Sequence, residues 1–165
     1  MKVPQNHHLV NMASVIVTGV GETGARDTLG LEVRASQDGP FWTSSLQDLM
    51  ARRLKRVELA VSDAHLGFQE AISTVLQGVS WQRCRVHLTR NALAPIPRAV
   101  QAMVPAGPRA LFAQPNQKAV REHLAEVVRA LEQRWPKAAA ELVGGETYVL
   151  TYIPWAVAPP LWMVV

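Results

Sequence analysis

The stretch Val57-Glu58-Leu59-Ala60-Val61-Ser62-Asp63-Ala64-His65 decides the fold class. Val57, Leu59 and Val61 recur with the period of a strand, and Ser62-Asp63-Ala64-His65 follows as a polar corner. Beyond the corner, Phe68, Ala71, Ile72, Val75 and Leu76 return at helical spacing. A strand that turns through a polar corner into a helix is a unit of an α/β sheet, and a carboxylate at such a strand end faces the crevice where ligands bind. Asp63 is therefore the most informative acid in the chain. Its competing reading is a helix N-cap or turn former.

The flanking sequence builds on this unit. Upstream, the β-branched run in Val15–Val20 predicts a buried strand, and Gly21-Glu22-Thr23-Gly24 a turn. Leu29, Leu31 and Val33 then alternate with Gly30, Glu32 and Arg34, which predicts a hairpin partner with its apolar face buried. After Asp38-Gly39-Pro40, Trp42, Leu46, Leu49 and Met50 mark a helix with one buried stripe. Downstream, Trp81–His87 reads as a short strand. Asn116 is an expected N-cap for an amphipathic helix through Val120, Leu124, Val127, Val128, Leu131 and Trp135, which Pro136 is expected to end. The residues thus predict an α/β fold, a sheet followed by a mainly helical segment.

The 165 residues match one average domain. Content that is 48% hydrophobic and 18% charged excludes a disordered tail or a polytopic membrane protein. Lys2 before the apolar stretch Met12–Val20 imitates a secretory signal, but Pro4, Asn6, Asn11, Thr18 and Gly19 interrupt it. One cysteine, Cys84, permits no internal disulfide, so a soluble, cytoplasmic protein with no membrane partner is expected. The net charge of +4 favours polyanions.

Other chemistry-bearing residues are few. Cys84 and His87 form a C-x-x-H pair of zinc-ligand types, yet no second pair has ligand spacing, so a packed cysteine beside a polar histidine is the simpler reading. Arg83, Arg85 and Arg90 accompany Trp81 in a set suited to phosphates, or equally to a solvated strand face. His7 and His8 are expected in a solvated turn, and His123 in the late helix. Trp42, Trp81 and Trp135 are assigned to the core. No P-loop, G-x-G-x-x-G, G-x-S-x-G or H-E-x-x-H motif occurs.

Together, Leu29-Gly30-Leu31, Asp38-Gly39 through Phe41-Trp42, Val61-Ser62-Asp63-Ala64-His65-Leu66-Gly67 and Gly78-Val79-Ser80-Trp81-Gln82-Arg83-Cys84-Arg85-Val86-His87 resemble the Mutator-type bacterial insertion-sequence transposases. Phe112-Ala113-Gln114-Pro115 and Trp135-Pro136-Lys137-Ala138-Ala139 extend the likeness to about Tyr152. The resemblance implies a ribonuclease-H-like core, a mixed sheet with flanking helices, whose Asp-Asp-Glu triad holds Mg²⁺ or Mn²⁺ for DNA cleavage and strand transfer. It makes Asp63 the second acid of that triad and a metal ligand, and makes Cys84 and His87 a supporting motif. The implied partners are DNA, as insertion-sequence ends and target, and a second copy or a full-length transposase.

The implied division is a partial catalytic core over 1–90, a helical segment over 91–152 and a divergent tail over 153–165 that looks out of frame. The family's first aspartate belongs on a strand expected just before Met1, and the third acid in a segment that the tail does not match. Pro105 and Pro108 interrupt a stretch resembling family helix. With the first strand missing, the hairpin and the Asp63 strand are expected to lack their shared neighbour, leaving a marginally stable sheet. An Asp63 without its two companions predicts a chain that does not cut DNA, with a non-catalytic DNA-binding or regulatory remnant as the alternative, and an unstable product without function as a third.

Overall fold

The structure is a computed structural model that describes residues 2–5, 8–21, 23–35, 38–101, 110–149 and 161–165. They fall into two compact units, residues 1–81 with 155–165, and residues 82–154. No helix among the described residues is long and apolar enough to cross a membrane.

The first unit opens with strands β1 (Lys2–Gln5) and β2 (His8–Asn11), paired antiparallel as a separate two-stranded sheet. His8 is thus in a strand and not in the expected turn, while His7 lies outside the described residues. Strands β3 (Ala13–Val20) and β4 (Arg26–Arg34) then form the anticipated hairpin. Helix α1 (Gly39–Ala51) starts where Asp38 Oδ1 accepts a hydrogen bond from the Phe41 N–H at 3.0 Å, with Pro40 in its first turn. It ends where the Arg53 N–H reaches Met50 O and the Leu54 N–H reaches Leu49 O, the paired bonds of a Schellman motif, with Arg53 at φ 72°. Strand β5 (Val57–Ser62), helix α2 (Leu66–Val75) and strand β6 (Ser80–Arg83) follow.

Strand β7 (Leu161–Val164) completes a five-stranded mixed sheet of order β4-β3-β7-β5-β6. It runs antiparallel to β3, through Thr18↔Val164 to Val20↔Trp162, and parallel to β5, where Ala60 meets Met163. The expectation that the hairpin and the Asp63 strand would lack a shared neighbour is therefore corrected, because residues 161–164 occupy the position between them. Thr18–Val20 of β3 and Val57–Val61 of β5 thereby gain a strand partner, and buried backbone groups left without one would cost about 1 to 3 kcal/mol apiece.

Val15 and Val17 pack with Phe41, Trp42, Leu46 and Leu49 of α1, Phe68 and Ile72 of α2, and Met163 of β7. Met50, assigned to the α1 stripe from sequence, is exposed. The apolar face of β4 is also a correction, since Leu31 is 63% and Val33 41% exposed. The hairpin register explains it. Partners across a ladder share a face, and Val15 pairs with Glu32, Val17 with Gly30 and Ile16 with Leu31. With Val15 and Val17 turned to the helices, Leu31 and Val33 must face away. Gly30 lies under α1, where a Cβ would sit 3.7 Å from Leu49 Cδ2.

The second unit is helical. Helix α3 (Arg85–Leu93) is followed by the short α4 (Arg98–Gln101), a 3₁₀ turn (Leu111–Ala113), α5 (Gln117–Glu132) and α6 (Pro136–Val149). Its core joins Leu88, Ala92 and Ile96 to Leu111, to Val120, Leu124, Val127 and Leu131 of α5, and to Ala138, Ala139 and Leu142 of α6. Asn116 caps α5 as anticipated, its Oδ1 accepting from the Ala119 N–H at 2.9 Å. Pro136 does not terminate that helix. It opens α6, where the missing N–H of a proline costs nothing. Pro105 and Pro108 lie outside the described residues.

Candidate functional site

Asp63 stands immediately beyond β5, exposed, at the corner that leads into α2. The corner is tied by short local bonds. Asp63 Oδ1 accepts from the Ala64 N–H at 2.8 Å, while the carbonyl of Asp63 accepts from the His65 N–H at 2.8 Å and from the Ser62 hydroxyl at 2.8 Å. Ser62 in turn accepts from the Trp81 indole N–H at 2.9 Å, so a β6 side chain fixes the residue that precedes the acid. His65 lies edge-on to Trp42, ring centres 5.8 Å apart.

These residues line a cleft of about 180 Å³ whose walls include Ser14 and Ile16 of β3, Trp42, Ser62, Asp63, His65 and Val165. Among the described residues that line it, Asp63 alone carries a side-chain carboxylate. Hard divalent cations take six or more oxygens, and two ions about 4 Å apart need several carboxylates to hold them. Among the described residues, no three His, Cys, Asp or Glu side chains gather in a metal-binding group. Asp63, with one oxygen already engaged by a backbone N–H, does not by itself fit a two-ion site.

The Cys84-x-x-His87 pair lies just past a strand, and the strand expected to run to His87 is shorter. Strand β6 ends at Arg83, Cys84 takes the N-cap position of α3, and His87 falls in the first helical turn. His87 Nδ1 is buried without a hydrogen-bond partner among the described residues, and no third ligand type joins the pair.

The three candidate arginines are separated by the fold. Arg83 is buried, 7% exposed, and its guanidinium is bound to the Glu141 carboxylate of α6. Arg85 and Arg90 are exposed on α3 and line a groove together with Arg98 of α4. Sequence reasoning missed Arg98. The available signal was charge distribution, since between Glu70 and Glu122 the chain has no acidic residue. Of the tryptophans, Trp42 is buried in the core, and the half-buried Trp81 packs against the same core and anchors Ser62. Trp135, also half-buried, packs against the second core with the Arg134 guanidinium 4.9 Å from its ring centre.

Comparison with known proteins places the chain in a family. The family described as "Transposase, Mutator family" matches residues 1–159. The chain belongs to the Mutator family of transposases. The transposase for insertion sequence element IS1081 of Mycobacterium tuberculosis is 34% identical over 152 residues, which cover 92% of this chain and 37% of that protein. The transposase for IS406 of Burkholderia multivorans is 35% identical over 139 residues, 84% of this chain and 36% of that protein. The transposase for ISRM5 of Rhizobium meliloti is 39% identical over 97 residues, 59% and 24% respectively. The matched stretches therefore span from about a quarter to little more than a third of the length of these curated relatives.

Proposed function

We propose that the chain is a segment of the DNA-cleavage and strand-transfer region of an insertion-sequence transposase, with Asp63 as the second acid of its triad. The carrying observation is the placement of Asp63 just past β5, open to solvent, at a corner held by short local hydrogen bonds and by the Trp81 indole on Ser62. The sheet supports the same reading. A hairpin, then a strand parallel to the acid-bearing strand, then that strand itself, is the order a ribonuclease-H-like core requires, with β7 standing where the first strand would lie.

Because the described donor set does not fit two Mg²⁺ or Mn²⁺ ions, no cleavage step is assigned to this chain alone. It acts on DNA as a binding or regulatory partner, through association with a second copy or with a full-length transposase. The purified chain, incubated with labelled element-end duplex and Mn²⁺, is expected to retain DNA without nicking it. Nicking by the wild type that disappears in Asp63→Asn would overturn the assignment of inactivity, and absence of any DNA binding would overturn the reading itself.

A further inference from the structure

We infer that the groove between α3 and α4 is a seat for the phosphate backbone of DNA, read through Arg85, Arg90 and Arg98. This deepens the transposition reading and rests on it for the identity of the polyanion. The first support is charge segregation. Residues 82–154 carry ten Lys and Arg against five Asp and Glu, a net of +5, whereas the remaining residues are net negative at −1. Residues 71–121 hold seven basic side chains and no acidic one, so the excess lies largely around α3 and α4.

The second support is how the fold presents that charge. Successive turns of α3 carry Arg85 and Thr89, and beside them Val86 and Arg90, along one face, while Leu88 and Ala92 on the other are buried in the unit's core. Pro95 and Pro97 stiffen the turn that follows. The Gln101 side-chain amide locks it by donating to Leu93 O at 3.0 Å and Ile96 O at 2.7 Å. The locked turn sets Arg98 on the same groove, of about 820 Å³, whose floor includes Leu93 and Ile96. An apolar floor supports the arginine stems, and Arg90 and Arg98 are exposed.

The third is residue choice. From Arg56 to Arg109 every Lys or Arg position is arginine, with no lysine between Lys55 and Lys118. The planar guanidinium grips two phosphate oxygens at once, where an ammonium acts as a point charge. Among the described residues no carboxylate lines the groove, and none pairs with Arg90 or Arg98. Arg83, with its charge already bound to Glu141, takes no part.

The test is fluorescence anisotropy of the full chain with a labelled duplex of arbitrary sequence, titrated at several salt concentrations. The slope of log affinity against log salt should flatten by about 0.9 for each phosphate no longer neutralised in Arg85→Ala, Arg90→Ala and Arg98→Ala. The triple lysine variant should keep most of the slope yet bind more weakly. Arg129→Ala, an equal charge change on the exposed surface of α5, should have little effect, and circular dichroism should show all variants folded. Equal losses from Arg129→Ala, an unchanged slope in the triple alanine variant, or equal competition by polyglutamate would each overturn the groove. Wild-type protein that fails to bind DNA would instead defeat the transposition reading.

Discussion

Arg83 and Glu141 show how one pair of side chains divides a basic cluster into structural and available members. The guanidinium has left water, whereas the carboxylate is still about a third exposed, with a side-chain accessibility of 31%. Removing the acid is therefore the harsher change. Glu141→Gln should destabilise the chain by about 1 to 3 kcal/mol in chemical denaturation, because a buried charge loses its counter-ion. Arg83→Met should cost less, since Glu141 can turn to solvent, and should leave DNA affinity unchanged. Sequence alone could not separate Arg83 from Arg85. They are two residues apart, and burial is decided by α6, which arrives some fifty residues later.

Helix α6 carries two adjacent glycines in opposite circumstances. A Cβ on Gly144 would meet nothing within 4 Å, whereas one on Gly145 would lie 2.7 Å from Leu88 Cδ1. Gly144→Ala should raise stability by up to about 1 kcal/mol through helix propensity. Gly145→Ala should lower it by about 1 to 3 kcal/mol despite the same gain, because α3 must move or Leu88 must leave its rotamer. Thermal melts of the two variants, shifting in opposite directions, would check this. Local signals served well where they acted locally. Asn116 announced its helix because a cap bonds within three residues, and α5 was plain from its apolar period. Alternation in β4 showed which side chains share a face but not which face the helices cover, so Leu31 and Val33 were misplaced. Pro136 read as a stop because a proline ends one helix or opens the next, and only the position of Glu132 tells which.

The sheet as a whole depends on β7, which no sequence signal tied to β3 or β5. Asp63 and its strand were legible from period and corner chemistry. The strand that fills the slot was not, since Leu161–Val164 is a short apolar run whose partners lie about a hundred residues or more away. Met163 is fully buried there. Deletion of residues 161–165 should therefore abolish a cooperative melt of the first unit and promote concentration-dependent association through the freed edges of β3 and β5. Size-exclusion chromatography would detect that association, and a deleted chain that melts sharply as a monomer would count against it.

During translation, β3, β4, β5 and β6 leave the ribosome before the second unit and before β7. At about 5 to 20 residues per second, the wait from Arg83 to Leu161 lasts roughly 4 to 16 s. Throughout that interval the nascent sheet has an open seam at its centre, so chaperone capture should be greatest on chains stalled short of residue 161 and should fall once Met163 has emerged.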